Sequence, residues 1–226
     1  MRSLSIVACL LSLLCVVDRS SVESEIRSMS KDEALIAAAE QNDFVSVARF
    51  LKEGASVKAQ DVRGRTALLV ATEQNSIQAA KLLIDAGADV NAQDHQLDSP
   101  LLLAGANGRL EILKLALKAS PDFKVYNRYG GTALIPACER GHVEVVKELL
   151  KTDIDINHVN RLGWTALLEA IILSDGGPKH QEIVRLLVAA GADVNVPDGE
   201  GITPLQHARH KGYRKIADIL MSHGAR

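Results

Sequence analysis

Aromatic residues are scarce: three Phe, three Tyr and one Trp make up 3% of the 226 residues. Bulky rings therefore cannot fill an interior, and the 47% apolar share has to do so through Ala, Leu, Val and Ile. Cysteine is nearly absent as well. Of three, only Cys138 lies beyond residue 20, so the rest of the chain can form no internal disulfide. That is compatible with an oxidising compartment without requiring one. There is no excess of positive charge, since the formal net charge is −2, and no run of Lys or Arg. A surface that binds nucleic acid by neutralising phosphates is excluded on that ground. Signatures of catalysis are missing too: no Gly-rich phosphate loop, nucleophile elbow or zinc-protease motif occurs. His207 and His210 share a helix face without an evident third ligand, and Asp175-Gly176-Gly177 lacks the alternating oxygens of a calcium loop. No metal, no cofactor and no enzyme activity are expected. Cys138, set among small residues, reads as a buried inert thiol.

The N-terminus stands apart. Met1-Arg2 is followed by Leu4–Val17, fourteen apolar or small residues. A membrane-spanning helix needs about 20, so this stretch suits the central region of a secretory signal peptide over residues 1–20. No small-x-small triplet marks the cleavage point, and neither Cys9 nor Cys15 sits in a lipidation context. Without residues 1–20 the chain carries 24 basic and 27 acidic residues, a net charge of −3. Residues 21–31 read as a linker rich in Ser and charge.

What the sequence has in abundance is repetition. Thr66, Ser99, Thr132 and Thr165 follow one another at intervals of 33 residues, and Thr203 follows after 38. A second column, Gly54, Gly87, Ser120, Asp153, Gly191 and Gly224, keeps the same beat. A fixed period of this length signals stacked units that bury apolar faces only against their neighbours. Six units result: 32–64, 65–97, 98–130, 131–163, 164–201 and 202–226. Each reads as a small-residue helix, a turn, a Leu/Val/Ile-rich helix, a stop and an extended tip. In the second unit Thr66 caps the first helix, Ile77–Ile84 is apolar on a helical period, and Gly87 ends it.

These residues resemble the ankyrin repeat family. Its Thr-Pro-Leu-His-x-Ala signature corresponds to Thr66–Ala71 and Thr203–Ala208, and its Gly-Ala-Asp-Val-Asn ending stands intact at Gly87–Asn91 and Gly191–Asn195. Gly141–Val146 matches the family's entry into the second helix. Gly131–Glu139 and Gly163–Ala170 are similar to small stand-alone bacterial ankyrin proteins. The resemblance covers residues 32–226. It implies an all-α repeat solenoid of six helix-turn-helix units with short β-hairpin tips, and a concave binding surface made of tips and first helices.

Departures from the pattern carry information. Leu97 replaces the tip glycine, while Ser120 and Asp153 replace helix-stop glycines, so an altered tip and altered C-caps are expected there. Pro136 falls in the first turn of its helix, where a lost N–H costs little. Five extra residues within Ser174–His180 should lengthen the turn of the fifth unit. The first and last units read as caps. On the concave plan, Arg128, Tyr129, Glu139, Arg140, Trp164, Glu169 and Asp175 form the centre of a partner site, because aromatics and Arg concentrate binding energy. Glu169 is singled out because an acid interrupts an apolar stripe and needs water or a partner.

The expected function is a non-enzymatic module that binds a protein partner, as a monomer, in the bacterial periplasm or outside the cell, with no nucleic acid and no membrane insertion after signal cleavage. Two alternatives stand beside it: a small ligand or cell-wall fragment in the concave groove, or a cytoplasmic or host-directed interaction module.

Overall fold

The computed structural model describes residues 29–226. The signal peptide expected over residues 1–20 and most of the linker lie outside the described residues. The linker's last residues already belong to the fold, since Ser30 caps a helix that begins at Lys31.

Twelve helices form six antiparallel pairs among the described residues: α1 (Lys31–Glu40) with α2 (Phe44–Lys52), α3 (Ala67–Glu73) with α4 (Ile77–Asp85), α5 (Pro100–Ala106) with α6 (Leu110–Leu117), α7 (Leu134–Glu139) with α8 (Val143–Leu149), α9 (Ala166–Ile172) with α10 (Pro178–Ala189), and α11 (Pro204–His210) with α12 (Arg214–Ser222). First helices stack on first helices and second on second, so the order of the chain is the order of the stack. One continuous core runs the length of the array, from Leu35 to Leu220, and is made almost wholly of Ala, Leu, Val and Ile. No helix among the described residues is long and apolar enough to cross a membrane.

Capping explains where the first helices begin. Thr66, Ser99, Thr165 and Thr203 each accept the backbone N–H three residues on, at 3.2–3.3 Å. Ser30 with Glu33, and Thr203 with Gln206, complete reciprocal capping boxes. Thr132 is the exception. Its hydroxyl is buried with no partner, and α7 starts one residue late. Pro136 lies four residues beyond Thr132, where its ring has no N–H to give and crowds the Thr132 carbonyl. Thus Pro136 does carry a cost, in a lost cap.

The other departures resolve individually. Leu97 adopts φ +59° and Ser120 φ +55°, taking the left-handed conformation that glycine takes elsewhere in those columns. Asp153 does not; there Thr152 accepts Ile154 N–H at 3.3 Å and donates to the Leu149 carbonyl at 2.6 Å. The Ser174–His180 insertion lengthens the turn only in part, because α10 already begins at Pro178. Its loop is strapped on both sides: Tyr213 Oη donates to the Ser174 carbonyl at 2.6 Å, and His180 Nε2 to the Glu139 carbonyl at 2.9 Å.

The tips are closed turns, and no strand forms among the described residues beyond a single bridge between Gln60 and Thr66. Each tip is organised by one Asp or Asn. Asp61, Asp94, Asn127, Asn160 and Asp198 each accept the N–H groups two and four residues on, at 2.8–3.0 Å. Two backbone bonds join neighbouring tips, His95 N–H to the Arg63 carbonyl at 3.0 Å and Arg161 N–H to the Tyr129 carbonyl at 2.8 Å. Between the Asp94 tip and the Asn127 tip, side chains make the link: Gln93 to the Tyr126 carbonyl at 2.8 Å, and Arg128 to Asp98 at 3.3 Å.

Candidate partner-binding groove

A groove of about 480 Å³ opens on the face formed by the tips and first helices of the third, fourth and fifth units. Its apolar lining comes from Leu103, Ile135, Pro136, Leu162, Leu173 and Tyr129. Its charges are Asp98, Arg128, Glu139, Arg140 and Glu169, with the amides Asn107, Asn127 and Asn160 between them. Mixed chemistry of this kind suits a ligand that carries both apolar surface and charge.

Five of the seven residues expected at the site line this groove: Arg128, Tyr129, Glu139, Arg140 and Glu169. Tyr129 is half exposed, and the Arg128 guanidinium lies 5.1 Å from its ring centre. Arg140 donates to the Ala106 carbonyl at 2.9 Å and to Asn107 Oδ1 at 2.8 Å, which ties the fourth unit to the third. The remaining two stand elsewhere. Trp164 is half-buried beneath its tip, with its backbone N–H and carbonyl both paired to Asn160. Asp175 lies in the inserted loop, 82% exposed, accepting Gly177 N–H at 2.8 Å with His180 Nδ1 at 3.2 Å.

Glu169 is the groove's most unusual member. It is 5% exposed, and its Oε1 accepts Asn160 Nδ2 at 2.9 Å. Burial, with a smaller contribution from the negative charge of Glu139, pushes its carboxyl up to about 7. Asp98 is also raised, chiefly by burial. Behind the groove, burial and then Glu169 raise the Cys138 thiol well above its ordinary value, so it stays protonated. In the sixth unit, the column of Glu169 holds His207, whose Nε2 meets Asp198 Oδ2 at 2.7 Å. Among the described residues no cluster of three or more His, Cys, Asp or Glu is arranged to hold a metal.

Sequence reasoning passed over Asp98, Gly131 and the pairing role of Asn160. The signal for Asn160 was present. It sits in the tip column Asp61, Asp94, Asn127, Asn160 and Asp198, and it alone in that column has an acid nine residues on, Glu169.

Comparison with known proteins agrees with this architecture. The family model "Ankyrin repeats (3 copies)" matches residues 3–94 and 101–198. A second, "Ankyrin repeats (many copies)", matches residues 178–220. The chain belongs to the ankyrin repeat family. Among solved structures, an ankyrin repeat domain from Acinetobacter baumannii AYE is 54% identical over 85% of this chain and 98% of its own, with a TM-score of 0.83. The ankyrin repeat protein EF0377 is 45% identical over the same shares, also with a TM-score of 0.83. The ankyrin repeat domain of Bcl-3, a member of the IkappaB family, is 26% identical over 85% of this chain and 86% of its own, at a TM-score of 0.76. A curated relative, the Escherichia coli (strain K12) ankyrin repeat protein YahD, is 49% identical over 57 residues. That match spans 25% of this chain and 28% of YahD. Ankyrin repeats are in general non-enzymatic protein-interaction modules.

Proposed function

We propose that this ankyrin repeat protein is a non-enzymatic module that binds a protein partner through the groove centred on Arg128, Tyr129, Glu139, Arg140 and Glu169, acting as a monomer in the bacterial periplasm or outside the cell. The observation that carries the reading is the groove itself. Exposed apolar side chains, Tyr129 at 51% and Leu162 at 52%, line it together with Glu139 and Glu169, which no cation of the described residues pairs. Partner surfaces are anchored by such pairings of aromatic and charged groups. The periplasmic or secreted location rests on the apolar stretch Leu4–Val17 alone.

Affinity capture with the wild type, Tyr129→Ala/Leu162→Ala and the convex-face control Lys81→Ala tests the surface. A partner retained by the control and lost by the groove variant is expected. Equal recovery by all three would remove the groove from consideration. For location, the mass of the mature N-terminus in separated cell fractions decides, and an intact Met1 species in the cytosol would refute export. A small ligand or cell-wall fragment is the second reading, favoured by a volume within the range of small-molecule sites.

A further inference from the structure

Two units of the concave face share a helix-end carboxylate, Glu73 with a guanidinium on it and Glu139 without one. In the second unit Arg65 directly precedes the capping Thr66 and is 5% exposed. Its guanidinium donates from Nε to Asp61 at 2.8 Å, from Nη1 to Glu73 at 2.5 Å and from Nη2 to Glu40 at 3.3 Å. Asp61 is the tip acid. Glu73 and Glu40 hold the same position in consecutive units. A guanidinium in this concave face is therefore held by a fork of carboxylates from the tip and from two helix ends.

The fourth unit keeps one of these three carboxylates and loses the cation, with Asn127 in the place of the tip acid and Ala106 in the place of Glu40. Glu139 follows Thr132 as Glu73 follows Thr66, and Gly131 stands where Arg65 stands. The backbone register agrees: Asn127 N–H donates to the Gly131 carbonyl at 2.9 Å and Asn127 Oδ1 accepts Gly131 N–H at 2.9 Å, against 3.0 and 2.9 Å for Asp61 with Arg65. A Cβ on Gly131 would meet only ordinary contacts, Asn127 Oδ1 at 3.4 Å and Ile135 Cδ1 at 3.6 Å. So the missing side chain leaves open space, and both Gly131 and Glu139 line the groove. The Glu139 carbonyl receives His180, but its carboxylate has no partner among the described residues.

Glu169 is a second, independent sign that something belongs there. It is more than nine-tenths buried, Asn160 satisfies one of its oxygens, and the other has no partner among the described residues although Glu169 lines the groove. Neither arginine of the groove supplies the missing charge. Arg140 is spent on Ala106 and Asn107, and Arg128 is paired with Asp98.

We infer that the groove is a receptor for an arginine side chain of the partner protein, whose guanidinium enters over Gly131 and is gripped by Glu139 and Glu169. Tyr129, Leu162 and Leu173 contact the apolar residues beside it. The inference rests on reading the groove as a protein-docking surface. Arginine is preferred to lysine because two carboxylates on different helices match a planar fork of donors better than a point charge.

Titration of the ¹⁵N-labelled full-length protein with N-acetyl-arginine methylamide, N-acetyl-lysine methylamide and free arginine, followed by NMR, tests this. Blocked arginine is expected to shift the amides of Gly131, Glu139 and Glu169 with a dissociation constant on the order of millimolar, as suits a single side chain. Blocked lysine should bind roughly 10-fold more weakly, and Glu139→Gln and Glu169→Gln should each weaken blocked arginine roughly 10-fold. Gly131→Arg should abolish binding by filling the groove from within; should it not fold, the two Gln variants carry the test. No shift at these amides, equal response to lysine, or indifference to both Gln variants overturns the proposal. Free arginine binding much more tightly than the blocked form would point to a small metabolite instead, and overturns the assignment to a protein side chain. A partner whose capture depends on Tyr129, combined with no response to blocked arginine, overturns the guanidinium site alone and leaves the docking surface standing.

Discussion

Asn160 Nδ2 donates to Glu169 Oε1 at 2.9 Å, so the amide that shapes one tip also holds the single buried carboxylate of the helix below it. One residue thereby ties the tip turn, through Leu162 and Trp164 N–H, to the floor of the groove.

The first prediction concerns the cost of that carboxylate. Its folded value is about 7, raised from 4.5 mainly by burial. Between these two pH values the folded chain holds the proton more tightly than the unfolded chain, so stability falls as pH rises through the window. The loss should be on the order of 3 kcal/mol and complete above about pH 8. Glu169→Gln should abolish this slope and make the protein more stable than wild type at pH 8. Urea unfolding at pH 5 and pH 8 checks it; an unchanged slope in the variant contradicts the assignment.

Gly105 in α5 packs against the turn before α7. A Cβ there would lie 2.7 Å from the Ala133 carbonyl oxygen and 2.9 Å from Ala133 Cβ. In an open helix Gly→Ala stabilises by about 1 kcal/mol. Here overpacking should reverse the sign, and Gly105→Ala is expected to cost about 1–2 kcal/mol. A denaturation midpoint at or above that of wild type would contradict this.

Leu97 holds φ +59° at 40% exposure, so it bears backbone strain for little burial. Leu97→Gly should stabilise by about 1 kcal/mol, the lower end of the left-handed penalty for a residue with a Cβ. Thermal unfolding should shift upward, and a lower melting temperature would show that Leu97 makes a packing contribution that outweighs its strain.

Pro136 should destabilise its helix even though it lies in the first turn. Pro136→Ala restores the N–H at that position and frees Thr132 to cap Ile135 N–H as its counterparts cap theirs. The expected gain is about 1 kcal/mol. Pairing it with Thr132→Val separates the effects: the gain should shrink in that background, and an undiminished gain would mean the cap is not its source.

The fold was legible because its determinants are local and recur. Capping Thr and Ser, stop glycines and alternating helix compositions each act within a few residues, so the 33-residue beat reports them directly. The site was legible by column and not by contact. Arg128, Tyr129, Glu139, Arg140 and Glu169 were placed on the groove because a column fixes which way a residue faces. Trp164 and Asp175 separate from them for reasons no column records. The backbone of Trp164 is enclosed by Asn160, and the insertion swings Asp175 to His180. Gly131 was invisible for the simplest reason: a glycine shows its role only when the side chain missing there is compared with Arg65.

The backbone bonds between tips join the first unit to the second and the third to the fourth, while side chains alone cross from the Asp94 tip to the Asn127 tip. The row of tips thus has a break in its backbone bonding that runs along the groove, where Arg128 reaches back to Asp98. Bending there would widen or narrow the groove without breaking a backbone bond between tips. A partner seated in the groove would bridge that break, touching Asp98 on one side and Tyr129 on the other.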